Sequence, residues 1–351
     1  MKKVFALVFI VGVCLGVWFG FNNNKKENGK LFDLGFTKEE VTDISKTFNE
    51  ESIDKLISLE SKDMIKEMIN ADSFDKDKLD AYLAYYQKNK SMKLSNVVKL
   101  VNNNIDKIKD LEYDDVILSL VDEDYYIYDN TARYVDYYKD NSDLSAKDIV
   151  TNVNSNLDYE FYTNVEATDM SKGNLIIVNK YYYLDKNYEP EDLVYIEGYY
   201  SSWPGAYMKK EAYEHFKEMV DAAREDGIKL WSQSPYRSYQ TQLSIYNRYV
   251  SRAGQAEADT YSARAGYSEH QTGLAVDINE VDESFAYTKE YQWLINNSYK
   301  YGFILRYPEG KEYITGYQYE PWHYRYIGVE DAKKIYNLDI TYEEYYAYYI
   351  K

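Results

Sequence analysis

The chain is nearly devoid of cysteine and histidine: of 351 residues, 1 is cysteine and 3 are histidine. Cys14 lies in an apolar run near the N-terminus. The body beyond it therefore has no disulfide and no thiolate to bind zinc or act as a nucleophile. Positive charge is also short. Lysine and arginine total 41 against 59 acidic residues, for a net charge of -18. This balance argues against nucleic acid, whose phosphates need basic partners, and against a polybasic membrane-surface binder. A catalytic metal would have to be held by carboxylates and by very few imidazoles.

What is present is a hydrophobic fraction of 45%, enough for a real core in a chain of this length and for more than one domain. Tyrosine, at 43 residues, is the main bias, and it recurs beside Asn, Asp and Lys as in half-buried positions. Near the N-terminus, Lys2 and Lys3 precede "VFALVFIVGVCLGVWFGF", 18 uncharged residues from Val4 to Phe21. At about 1.5 Å per residue, such a run nearly crosses a hydrocarbon core. It reads as an N-terminal transmembrane helix rather than a cleaved signal, because no small-residue cleavage site follows it. Val13 before Cys14 is not the small residue that lipoprotein processing wants. Lys25, Lys26 and Lys30 follow the run, so charge sets its orientation poorly.

Residues 1–30 are thus expected to be an anchor and linker, and 31–165 an all-α repeat region. Thr37 with Glu40 three residues on forms a capping box ahead of Val41, Ile44 and Phe48 at helical spacing. "YLAYYQKNKSMKLSNVVKLVNNNID" (82–106) aligns without gaps on "YVDYYKDNSDLSAKDIVTNVNSNLD" (134–158). Tyr82, Asn89 and Asn102 recur as Tyr134, Asn141 and Asn154. Each copy reads as helix, turn, helix, a unit that would bury an apolar face by stacking. Such a module serves as a spacer or meets an unknown partner.

Composition changes near residue 173. "NLIIVNKYYYL" (174–184) has strand character, and 211–227 reads as a helix ending at Gly227, with Phe216, Val220 and Ala223 on one face. "IKLWSQS", "GLAVDI" and "WHYRYI" read as short strands. Strands and helices mix without βαβ regularity, so residues 166–351 are expected to form an α+β domain.

Two histidines lie in stretches dense in polar residues and turn formers. In "YSEHQTGLAVDI", Gly273 lets the chain bend after His270, and a strand can then present Asp277 opposite Leu274, Val276 and Ile278. In "YEPWHYRYIG", Glu320 precedes His323 by three residues, a spacing that can set a carboxylate beside a metal-bound water without ligating the metal. Arg237 in "SPYRSYQTQ" sits at a loop mouth, where a guanidinium can hold a carboxylate or an oxyanion. Trp322, Tyr324 and Tyr326 read as packing residues, Arg325 as a salt-bridge residue, and His215, inside an amphipathic helix, as structural. Taken singly, His270, Asp277, Glu320 and Arg237 each have an ordinary structural explanation.

Taken together they form S-x-H-x6-D, then E-x-x-H, with Y-R-S upstream. The pattern resembles the zinc D-alanyl-D-alanine carboxypeptidases of the VanY and DacB type. "SPYRSYQTQLSIY", "ARAGYSEHQTGLAVDI" and "FILRYPEGKEYITGYQYEPWHYRYIG" look like that family's blocks in order, and the likeness covers about residues 173–351. The resemblance implies a Hedgehog/DD-peptidase-like fold, an antiparallel sheet with flanking helices. It implies Zn2+ held by His270, Asp277 and His323, with Glu320 as general base and Arg237 as electrophilic or carboxylate-binding residue. Ser268, Gln242 and Tyr307 would line the substrate cleft. Ala265 stands where the family commonly has proline, which puts the loop geometry ahead of the site in question.

The implied activity is removal of the C-terminal D-alanine from peptidoglycan stem peptides, by an enzyme held at the cell membrane by a single span with its catalytic domain extracytoplasmic. An L,D-carboxypeptidase acting on tetrapeptide stems is the alternative. So is a non-catalytic wall-binding protein, although a binder has no need of a base beside the metal.

Overall fold

In the computed structural model, residues 25–102, 119–121 and 123–351 are described. The apolar run 4–21 lies outside them. Among the described residues, no helix is long and apolar enough to cross a membrane. The chain separates into two compact units, residues 1–122 and 123–351.

The described part of the first unit is helical. Helices span Lys25–Asp33, Lys38–Thr47, Glu50–Ile57, Lys62–Ile69, Leu79–Lys88 and Leu94–Asn102. Side chains close the N-termini of the second, third and fourth of these: Thr37 and Glu40 form the expected capping box, and Asn49 and Ser61 each accept from the N–H three residues on. Ile53, Leu56, Ile65 and Met68 are fully buried.

The two repeat copies have matching local structures. Leu79–Lys88 and Leu94–Asn102 correspond to Thr131–Asp140 and Ala146–Asn154. A 3-10 turn precedes each, Lys76–Lys78 and Tyr128–Asn130. The recurring residues account for this. The Tyr82 hydroxyl donates to Asn102 at 2.7 Å and accepts from the Asp75 N–H at 3.2 Å. Tyr134 does the same with Asn154 at 2.6 Å and the Ile127 N–H at 3.1 Å. Asn89 and Asn141 each donate to the carbonyl four residues earlier. The two copies fall in different compact units. The second packs with the chain's C-terminal helix, Tyr342–Tyr349, where Thr151 hydrogen-bonds Tyr348, and ahead of the copy Tyr125 stacks on Tyr348 at 3.9 Å.

The second unit is built on a four-stranded antiparallel sheet. Its strands are preceded in the chain by two small pairs, β1 (Glu166–Ala167) with β2 (Tyr182–Tyr183) and β3 (Leu193–Tyr195) with β4 (Tyr207–Lys209). The main sheet comprises β5 (Ser232–Ser234), β6 (Ala275–Ile278), β7 (Phe303–Leu305) and β8 (His323–Tyr326), in the order β5-β6-β8-β7. The helix Lys210–Glu225 packs Phe216, Met219, Val220 and Ala223 into one core with Leu274 and, from β6, Val276 and Ile278. A second core joins Ile177, Tyr181 and Tyr182 to Ile304, Ile327 and the C-terminal helix Tyr342–Tyr349.

The strand expected over 174–184 is reduced to Tyr182–Tyr183. The Asn179 side chain accepts the Tyr181 and Tyr182 N–H groups, and the Asn179 N–H donates to the Tyr182 carbonyl, folding the run into a turn. The run is apolar because its residues are buried, not because it forms a ladder.

Candidate metal centre

Three local devices place the histidines and Asp277. A 3-10 turn, Glu269–Thr272, carries His270 and ends at Gly273 with φ +70°. A Cβ there would sit 2.9 Å from Leu193 Cδ2 and 3.1 Å from the Lys209 N, so only glycine fits both the turn and the approach of β4. β6 follows at once and directs Asp277 away from the core that buries its neighbours. The register of β6 on β8 then sets Asp277 directly opposite His323.

The convergence is close. His270 Nε2 lies 3.4 Å from Asp277 Oδ2, and His323 Nδ1 lies 3.2 Å from Asp277 Oδ1. One ligand atom from each of the three residues falls within 4.8 Å of the other two. His270 Nδ1 is 2.8 Å from the Pro235 carbonyl, a contact that makes it the protonated nitrogen and leaves Nε2 with its lone pair free. Asp277 Oδ1 is buried with no hydrogen-bond donor. Inward lone pairs without donors suit a cation and would be costly without one. The three side chains therefore fit a divalent metal, and two nitrogens with one oxygen match the ligand chemistry of zinc.

The remaining predicted residues line the same cavity, of about 350 Å3: Arg237, Gln242, Ser268, Tyr307 and Glu320. Arg237 is fixed to the His270 turn because its N–H donates to the His270 carbonyl. Its guanidinium donates to Gln242 Oε1 at 2.7 Å and to Ser234 at 2.9 Å, and lies 3.7 Å from Asp277 Oδ2. Glu320 Oε2 lies 3.5 Å from His323 Nδ1. The Tyr307 ring lies against His323, with centroids 4.8 Å apart. His215 is remote in role: it pairs with Glu218 and stacks on Tyr326. The loop that carries Ala265 is held from both sides. Arg264 grips Asp259 and stacks on Tyr162, and the Gly266 carbonyl accepts from Leu184.

The electrostatics separate the carboxyl groups. Burial pushes Glu320 up to about 8, with Asp277 adding to the rise while His323 and Arg237 oppose it. Burial alone would raise Asp277 as well, but His270 and His323 outweigh it and hold that carboxyl far below its ordinary range. One acid is thus poised to exchange a proton and the other is fixed as an anion. His323 is raised to about 9, because Asp277 and Glu269 overcome the opposing effect of burial. The same two anions would draw a metal ion.

Glu269, missed in the sequence reading, faces His323 from the other side. Its Oε2 is 3.4 Å from His323 Nε2, while Oε1 accepts from Arg306 at 2.8 Å and Arg325 at 2.9 Å. Burial would raise it, yet the two guanidiniums keep it well below the usual range. Arg325 is the salt-bridge residue expected from sequence, and Tyr324 and Tyr326 pack as expected. The available signal is a lone arginine in each of two apolar runs, "FILRY" and "WHYRYI". It shows that an anion is buried nearby but not which one.

A site of two imidazoles and one carboxylate on an antiparallel sheet, with a raised carboxyl beside them, defines a metallohydrolase-type centre. The comparisons are specific. The family model described as VanY, D-alanyl-D-alanine carboxypeptidase, matches residues 205–329. The putative carboxypeptidase YodJ of Bacillus subtilis is 41% identical over 217 residues, which cover 58% of this chain and 80% of YodJ. The bifunctional D-Ala-D-Ala dipeptidase and D-Ala-D-Ala carboxypeptidase VanXYC of Enterococcus gallinarum is 34% identical over 183 residues, 50% of this chain and 94% of that protein. Among solved structures, that of the LdcB LD-carboxypeptidase superposes with a TM-score of 0.50 at 43% identity, covering 53% of this chain and 91% of LdcB. The chain belongs to the VanY family of D-alanyl-D-alanine carboxypeptidases.

Proposed function

We propose that residues 166–351 form a zinc carboxypeptidase that removes the terminal D-alanine from peptidoglycan stem peptides. The observation that carries this is the meeting of His270, Asp277 and His323 in one cavity with Glu320 and Arg237. These three side chains would hold zinc, which would supply Lewis acidity at the site. Glu320, raised toward neutrality and next to His323, takes a proton from the attacking water. It then returns that proton to the amine of the departing D-alanine, and the new carboxylate keeps the water's oxygen. Arg237 holds the substrate's terminal carboxylate or the developing oxyanion, oriented by Gln242 and Ser234. Tyr307, Ser268 and Gln242 form the wall of the cleft.

The 43% identity to LdcB favours a second reading, cleavage of the D-alanine of tetrapeptide stems. Incubating the protein with pentapeptide and tetrapeptide stems and weighing the products separates the two. Loss of one alanine from the pentapeptide supports the first reading. Loss from the tetrapeptide alone supports the second, and no chelator-sensitive loss from either removes both in favour of a wall-binding protein.

The run 4–21 would hold this unit at the outer face of the membrane, with 1–30 as anchor and linker, 31–165 as a helical spacer and 166–351 as the catalytic region. Its 18 uncharged residues and the wall location of the substrate support that arrangement. Detection of the full chain in the washed membrane fraction, accessible to protease from outside, tests it.

A further inference from the structure

Behind His323 lies a chain of buried charges that the proposed reaction does not use. Glu269, Arg306, Arg325 and Glu343 are each 2% exposed or less. Arg306 donates from Nη1 to Glu343 Oε2 at 2.8 Å and from Nη2 to Glu343 Oε1 at 2.5 Å, while its Nε reaches Glu269. Asn179 donates to Glu343 Oε1 at 3.2 Å. Arg325 completes its contacts with the carbonyls of Asn174, Ile176 and Tyr326. Every guanidinium edge is thus used, and Glu269 Oε1 is doubly bound. What remains unpaired is Glu269 Oε2 on one side and His323 Nε2 on the other, 3.4 Å apart.

That geometry has one economical use. A ligating imidazole must present one nitrogen without its proton, and a carboxylate behind the ring fixes which one. Here Nδ1 faces Asp277 and Nε2 faces Glu269. Burying four charged side chains is costly unless they compensate each other, and a hydrophobic cluster of the same volume would serve stability equally well. We propose that Glu269 is a positioning residue for His323, and that Arg306 and Glu343 tie its carboxylate to the C-terminal helix Tyr342–Tyr349. The proposal rests on the reading of His270, Asp277 and His323 as metal ligands. It implies that the metal centre depends on a helix that contributes no ligand.

The test uses metal affinity and imidazole protonation as well as turnover. In zinc-loaded full-length protein, long-range 15N–1H correlation should show the proton of His323 on Nε2. A proton on Nδ1 would overturn the proposal. Glu269→Gln weakens the hold on the buried Arg306 and Arg325, so its thermal transition should fall while remaining cooperative, and it should bind zinc about 10- to 100-fold more weakly in chelator competition, with a smaller loss for Glu343→Gln. Zinc affinity within twofold of the parent in folded Glu269→Gln would overturn it. If Glu269→Gln does not fold, Glu343→Gln decides: unchanged affinity would break the proposed link to the C-terminal helix. A protein that binds zinc with this tautomer yet cleaves no stem peptide would sink the carboxypeptidase reading and leave the positioning role standing.

Discussion

The sheet-based C-terminal unit holds a fully buried cluster of charges, and the described part of the helical N-terminal unit has no counterpart to it. In the N-terminal unit, Lys46 with Asp43, and Lys55 with Glu51 and Asp80, pair with substantially exposed partners. Water screens such pairs, and they contribute little. In the C-terminal unit, Asp277, Glu269, Arg306, Arg325 and Glu343 are almost fully enclosed. Enclosed charges are strongly coupled, so removing one partner leaves another stranded. The difference teaches where function can reside. A residue in the helical unit can change with a local effect, whereas a residue in the charged cluster changes the properties of its neighbours.

The largest effect is expected at Glu320. Glu320→Gln keeps the three proposed ligands and should retain zinc, yet kcat for stem-peptide hydrolysis should fall by about 10^3-fold. Retained zinc with near-normal turnover would remove Glu320 from its role. Next is Arg237→Lys, which keeps the charge but loses the two-pronged donor that reaches Gln242 and Ser234. A drop of about 10- to 100-fold in kcat/KM is expected, equivalent to losing one charged hydrogen bond. An unchanged value would make Arg237 a bystander.

A smaller effect probes the repeat. Tyr134→Phe removes one of the two donors to Asn154 Oδ1, which keeps Asn130, and the acceptor of the half-buried Ile127 N–H, and should lower stability by about 1 kcal/mol in denaturant titration. Tyr82→Phe, its counterpart, should behave alike because it makes the same two contacts. Divergence between them would show that the copies share a sequence pattern but not its energetics.

The smallest expected effect is a pH dependence at Lys180. Its ammonium donates to the Asp259 carbonyl and lies within about 4.6 Å of the Phe161 and Tyr317 ring centres. Burial pushes it down to about 8, while the Asp259 carboxylate pulls the other way. A base with a lowered folded pKa binds fewer protons when folded than when unfolded, so stability should rise as pH climbs from about 8 toward its unfolded value of about 10.4. Over pH 7–9.5, Lys180→Met should be missing that rise. Parallel curves for the two proteins would show that the rings hold the cation charged throughout.

Much of this architecture is legible in local sequence because local physics decides it. Thr37 with Glu40 makes a capping box wherever a helix follows. The turn at Gly273 needs a residue that tolerates positive φ, and the strand after it must alternate to bury Leu274, Val276 and Ile278. The repeat is readable because Tyr82 and Asn102, like Tyr134 and Asn154, are one hydrogen bond seen twice. The run 174–184 misled because hydrophobicity reports burial, and the Asn179 side chain competed successfully for the backbone donors.

The ligand types, their order and the bend between His270 and Asp277 are local matters, since they depend on residue chemistry and backbone freedom over a few positions. The folded chain alone brings Asp277 across from His323, Glu269 to the far side of that ring, and Arg306 into the link to Glu343. Those partners lie 37 to 54 residues apart in the chain. No local rule relates such distant positions. Their meeting is set by strand register and by the need of each buried charge for a partner.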